Sequence, residues 1–115
     1  MSGSSGYGGI GFNPVITRHT VRAELYIDTS SQEANKRIFD KIKLQYNKLH
    51  DDNYVFSRMD GKRACRIFVG HNIGKKDKNN WPEAIEFLAA AMKDLYDTFK
   101  PLLDDVMRNL GEIND

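Results

Sequence analysis

The chain has one cysteine, three scattered histidines and no apolar run longer than a few residues among its 115 positions. A single thiol, Cys65, excludes an internal disulfide and fits a reducing cytoplasm. The histidines, His19, His50 and His71, lie far apart, so the usual zinc spacings are missing and no metal or other cofactor is expected. Without a long apolar run there is neither a transmembrane helix nor a signal-peptide core, and no membrane partner is expected. A surplus of one charge is also lacking, since 17 Lys and Arg meet 16 Asp and Glu for a net +1. The length suits one domain with one core and is too short for two.

What is present begins with an octet, Val21-Arg22-Ala23-Glu24-Leu25-Tyr26-Ile27-Asp28, that alternates apolar and polar without a break. A period of two places Val21, Ala23, Leu25 and Ile27 on one face and Arg22, Glu24, Tyr26 and Asp28 on the other, as in a half-buried strand. Before it, Phe12 to Ile16 reads as a weak strand that Pro14 either confines to an edge or makes begin after the proline, and Thr17-Arg18-His19-Thr20 as the hairpin connection. After it, Ser30 with Glu33 forms a capping box that opens a helix carrying Ile38, Ile42, Tyr46 and Leu49 on one side. Its other side carries Lys36, Arg37, Lys41, Lys43 and Lys48.

A second hairpin follows, Tyr54–Met59 and Lys62–Gly70 around Asp60-Gly61, a dipeptide suited to positive φ. A two-residue turn sets Arg58 opposite Arg63, Phe56 opposite Cys65 and Tyr54 opposite Ile67. Like charges facing each other call for a carboxylate, from the acidic C-terminal part, or a phosphate between them. Asn80 and Glu83 cap the second helix, with Ile85, Leu88, Met92, Leu95 and Phe99 as its buried stripe. Pro101 predicts a kink or break near Lys100, Leu102 to Leu110 continue the apolar side, and Gly111 ends the helix.

The order ββαββα predicts an α+β two-layer sandwich, a four-stranded antiparallel sheet with two long helices on one face. Met1-Ser2-Gly3-Ser4-Ser5-Gly6 reads as a flexible segment outside the fold, residues 7–111 as the domain and residues 112–115 as a tail. Ile42, Leu25, Ile67 and Leu88 are the expected centre of the core. Charge is uneven: residues 1–78 carry +6 and residues 79–115 carry −5. Such asymmetry suits either a nucleic-acid-facing half or a basic helix lying beside an acidic one.

Three stretches together resemble an uncharacterised prokaryotic domain-of-unknown-function family. They are Arg22-Ala23-Glu24-Leu25-Tyr26-Ile27, Asp60-Gly61-Lys62-Arg63-Ala64-Cys65-Arg66-Ile67 and Trp81-Pro82-Glu83-Ala84-Ile85-Glu86-Phe87. The resemblance covers nearly the whole chain after Gly6. It implies a domain often C-terminal in proteins with a restriction-endonuclease-like (PD-(D/E)XK) domain, so the chain reads as a stand-alone or excised copy.

In such nucleases an acid followed by acid-x-Lys holds a divalent metal, which draws attention to Glu24 with Asp60-Gly61-Lys62. In a hairpin tip the same triplet is turn chemistry. Cys65 points toward the core, where a thiol behaves as a small hydrophobe. Gly70-His71-Asn72-Ile73-Gly74-Lys75-Lys76 has phosphate-binding residue types but not the P-loop spacing, and a mobile surface loop is the default. The outward sheet residues say more. Arg22, Glu24 and Tyr26 share a face with Val55, Arg66 and Phe68, a mixture suited to stacking bases or docking a protein. A half-solvated sheet with a Glu24–Arg66 cross-strand pair is the bland alternative.

The expected function is a non-catalytic, cytoplasmic interaction module associated with nucleic-acid-processing proteins. Arg22, Tyr26, Arg66, Phe68, Lys75 and Lys76 are the candidate contacts to a protein domain or nucleic acid. The alternatives are a small metal-dependent nuclease-like hydrolase and a homodimeric scaffold built on the outer sheet face.

Overall fold

The computed structural model describes residues 3–49, 54–74 and 78–114. In chain order these form β1 (Gly3–Ser4), β2 (Ile10–Ile16), β3 (Val21–Ile27), α1 (Gln32–Leu49), β4 (Val55–Ser57), β5 (Cys65–His71), a single 3-10 turn (Lys78–Asn80) and α2 (Trp81–Asn114). The sheet order is β1-β2-β3-β5-β4 and every neighbouring pair is antiparallel. The four expected strands are present, and β1 is added at one edge. Met1–Gly6 therefore does not lie wholly outside the fold. Gly3 and Ser4 pair with Phe12 and Gly11, and the buried Ser5 hydroxyl donates to the Ile10 and Tyr7 carbonyls. Because β1 reaches only Gly11 and Phe12, Pro14 falls beyond it, on the part of β2 that needs no donor at the edge.

The period-two pattern of β3 decides where the core lies. Ala23, Leu25 and Ile27 are fully buried with Phe12 and Ile67, against Ile38 and Ile42 of α1 and Leu95, Phe99 and Leu103 of α2. Both helices thus lay their apolar stripes on one sheet face. Of the four expected core residues, Leu25, Ile42 and Ile67 share this cluster, while the equally buried Leu88 joins Val21, Ile73 and Ala84 in a smaller one. Ala84 takes the inward place expected for Ile85, which is 39% exposed. Of the kink or break expected near Lys100, the break is absent, and α2 runs through Pro101 to Asn114, past Gly111 and into the expected tail. Pro101 faces solvent while Phe99, Leu102, Leu103 and Val106 are buried, so packing along the sheet outweighs one missing helical hydrogen bond.

Helix α1 begins one residue later than the capping box implies, with the Ser31 hydroxyl accepting the Ala34 N–H at 3.1 Å. The next two inward residues are polar. Asn35 accepts from the Thr29 N–H and donates to the Arg63 carbonyl at 2.9 Å, joining the ends of two connections. Lys36, expected on the outward side, is buried instead. Its ammonium donates to the carbonyls of Arg58, Met59 and Ala64.

This clamp accounts for a correction in the second hairpin. Strand β4 stops at Ser57, and Arg58–Ala64 is a seven-residue loop in place of a two-residue turn. Inside it the Lys62 N–H bonds the Met59 carbonyl around Asp60-Gly61, with Met59 at φ 52° and Gly61 at φ 89°. Left-handed backbone at a methionine is costly, and the ammonium on its carbonyl holds it there. The observed pairs are Val55 with Phe68, Phe56 with Ile67 and Ser57 with Arg66, offset by two residues from the expected register. An even offset keeps each side chain on its expected face.

Replacing Lys36 with Met keeps the stem but leaves three carbonyls without the ammonium, a loss of about 2–3 kcal/mol. Leu25→Ala or Ile42→Ala costs about 2–5 kcal/mol through lost transfer energy and an unfilled cavity. Urea unfolding followed by circular dichroism reads both, and a Lys36→Met midpoint unchanged from the wild type contradicts the clamp.

Candidate functional site

The sheet face away from the helices carries the residues singled out by the alternation. In the β3–β5 register Glu24 lies opposite Phe68, Tyr26 opposite Arg66 and Arg22 opposite Gly70. Without a side chain at Gly70, Arg22 lies toward Phe68, its guanidinium carbon 4.8 Å from the ring centroid. Directly across the ladder, Arg66 reaches over Tyr26 at 5.4 Å. Each strand thus contributes one arginine and one ring, and each arginine covers the ring of the other strand.

Glu24 sits between them, only 5% exposed. Its Oε1 lies 3.2 Å from Arg22 Nη2 and 3.7 Å from Arg66 Nε. The cross-strand Glu24–Arg66 pair is therefore present but diagonal and the weaker of the two. None of this is well-formed hydrogen bonding, because Glu24 Oε1, Arg22 Nε and Arg66 Nε are buried without a hydrogen-bond partner. One carboxylate balances two guanidinium groups by proximity alone, which leaves an excess of positive charge and two donors with capacity to spare. Val55, opposite Phe68 and 52% exposed, extends the patch toward the sheet edge.

At the other end of this face lies a cleft of 340 Å³ lined by Tyr26, Asp28, Met59, Lys62, Arg63, Ala64 and Arg66. Arg63 grips Asp28 with both arms of its fork, Nε to Oδ1 at 2.7 Å and Nη2 to Oδ2 at 3.2 Å. The Arg63 guanidinium holds the Asp28 carboxyl below its usual pKa range. The expected Arg58–Arg63 juxtaposition does not occur. Arg58 pairs instead with Asp40 at 2.9 Å and with Asp60, so no phosphate and no acid from the C-terminal part is needed.

The remaining sequence candidates are not brought together. Asp60 of the acid-x-Lys triplet belongs to the turn and accepts from Arg58. Among the described residues no group of three His, Cys, Asp or Glu could hold a metal ion. Cys65 is buried, and burial pushes its thiol pKa up, the opposite of what a nucleophile requires. His19 sits in an exposed turn, while His71 lies 4.0 Å from Glu83 and against the Phe87 ring. Ile73 and Gly74 are buried, and a Cβ at Gly74 would meet the Arg18 carbonyl oxygen at 2.2 Å. That part of the loop is packed on the Thr17–Thr20 turn and is no open phosphate cradle. Lys75, Lys76 and His50 lie outside the described residues. No helix among the described residues is long and apolar enough to cross a membrane.

Sequence reasoning weighed Lys62 in the acid-x-Lys triplet and Arg63 opposite Arg58 but missed their place in this cleft, because the loop that aims them is set by the buried Lys36. A lysine two residues before the apolar helical stripe begins at Ile38 gives no sign that its ammonium turns inward.

The sequence model of the family described as "Domain of unknown function (DUF4268)" matches residues 1–103, a span that includes both the outer face and the cleft. No match was found among curated proteins or solved structures.

Removing the central carboxylate by Glu24→Leu leaves two guanidinium groups facing each other over a partly desolvated site. The expected cost is about 1–3 kcal/mol, less than for a fully buried pair because solvent screens both arginines. For Asp28 the folded-state pKa is depressed, so its stabilisation is full above the ordinary carboxylate value and is lost as pH falls below that value and through the lower folded-state one. Urea midpoints taken downward from pH 6 fall more steeply below about pH 4 for the wild type than for Asp28→Asn. Parallel curves contradict the Asp28–Arg63 pairing.

Proposed function

We propose, for a chain that belongs to the DUF4268 domain-of-unknown-function family, a non-catalytic interaction module whose outer sheet face docks a protein partner. The observation that carries this reading is the crossed pair of arginines over Phe68 and Tyr26 around the buried Glu24. Arginine and aromatic side chains set on a rigid sheet are the residue types that dominate binding energy at protein interfaces. Here strand pairing fixes them before any partner arrives, which reduces the ordering cost of association.

Nucleic acid is the less suited ligand for this face. Both rings already carry a guanidinium on one side, and Glu24 shares its charge between the two arginines. A strand-binding platform offers open rings and cations free to track phosphates. The association with nucleic-acid-processing, nuclease-type proteins rests on the sequence resemblance, and on this reading the module brings such proteins together without touching the substrate. A reducing cytoplasm is the compartment we infer, from a lone, buried and unreactive thiol.

A photo-crosslinking residue at Val55 is expected to trap a discrete protein in the native cell, and one at Lys93 on α2 is not. Short single-stranded and duplex DNA, with and without magnesium, should be neither cleaved nor bound tightly. DNA binding whose log–log salt slope is roughly −3 to −4 signals a footprint of about four phosphates and overturns protein docking as the role of this face.

A further inference from the structure

We infer that the cleft beside Tyr26 receives a carboxylate side chain from an extended acidic segment of the partner protein. The inference rests on the docking reading and assigns the chemistry of what docks. Lys62, Arg63 and Arg66 line the cleft, and the acid there is Asp28. Both Asp28 oxygens are committed to Arg63. Glu24, the next carboxylate on the face, lies closer to Arg22 than to Arg66. Arg66 Nε is buried without an acceptor, and the exposed Lys62 forms no ion pair among the described residues. The cleft thus sets a guanidinium whose Glu24 pairing is long, 3.7 Å, beside an exposed ammonium, an arrangement that a planar carboxylate satisfies from two directions.

Charge decides between the anions. Three cations against one acid leave the cleft two charges positive, enough for one or two side-chain carboxylates. A phosphodiester chain presents a charge at every step, yet Asp28 and Glu24 lie along this face and Arg22 is held by Glu24. The Tyr26 ring and Met59 supply apolar wall for the methylenes of a glutamate, and 340 Å³ holds more than a single small ion. Because Tyr26 and Arg66 also belong to the crossed pairs, the cleft continues the docking face, so one extended segment reaches both.

The test is an NMR titration of the full, 15N-labelled chain with hexaglutamate, in parallel with hexalysine, hexathymidylate and inorganic phosphate at two salt concentrations. Hexaglutamate is expected to shift Tyr26 and residues 62–66, more strongly at low salt. Lys62→Glu should weaken it by about tenfold, the worth of one charge-assisted contact. Arg66→Lys, which keeps the charge and removes the fork, should also weaken it. No shift at the cleft, equal shifts with hexalysine, tighter binding of hexathymidylate at the same residues, or equal shifts with phosphate alone would each overturn the inference. Val55→Asp, which alters the β4 edge of the face, should leave the hexaglutamate shifts in place. Failure at the cleft with crosslinking at Val55 retained therefore removes this inference alone, and the reverse pattern removes the docking reading.

Discussion

The seven-residue antiparallel register between β3 and β5 is the constraint on which the rest of the molecule depends. It sets Leu25 opposite Ile67 in the core and, by the same step, Glu24 opposite Phe68 on the outside. A slip of one residue would bring Arg22 and Glu24 under the helices and Leu25 into solvent. The register is held at its start by α1. Asn35 and Lys36 bind the carbonyls of Arg63 and Ala64, the two residues before β5 begins. Two polar side chains on the buried side of a helix thus determine where a strand enters the sheet.

That arrangement also explains why the loop before β5 needs no regular hairpin. The backbone carbonyls of Arg58, Met59 and Ala64 converge on one ammonium, an alternative to ladder pairing that satisfies acceptors a short turn would have placed in strands. With the carbonyls turned inward, the arginines of the loop point outward to Asp40, Asp60 and Asp28. The cationic cleft is a consequence of this inversion. Core and surface are therefore coupled through Lys36 and not merely adjacent.

Alternation in β3 made both faces of the sheet legible from the sequence, and the 3.6-residue stripes of both helices gave the layer that covers one of them. Arg22, Glu24, Tyr26, Val55, Arg66 and Phe68 could be placed on a common face, since a register offset of two preserves side-chain parity. The length of the connection after β4 could not be read. Asp60-Gly61 is the signature of a tight hairpin, and the tertiary contact that overrides it joins Arg58 to Lys36, 22 residues earlier in sequence. The break that Pro101 allowed for is absent for a related reason. Its local cost is fixed, whereas the burial of Phe99, Leu102 and Leu103 that offsets it depends on the sheet beneath. The Gly/Ser-rich start likewise gave no pattern, because β1 is held by backbone pairing and one serine hydroxyl.

A face that serves recognition can be exchanged without unfolding the protein, whereas one that serves only the fold cannot. The decisive measurement replaces Arg22, Glu24, Tyr26, Arg66 and Phe68 together by threonine, a residue that suits strands, and follows urea unfolding and Val55 crosslinking on the same protein. Removing the carboxylate with both of its guanidinium partners leaves no uncompensated charge, so a cooperative transition with a midpoint close to the wild type is expected while the crosslinked partner disappears. Loss of cooperative unfolding, or a crosslink that persists, would contradict the assignment of this face to docking.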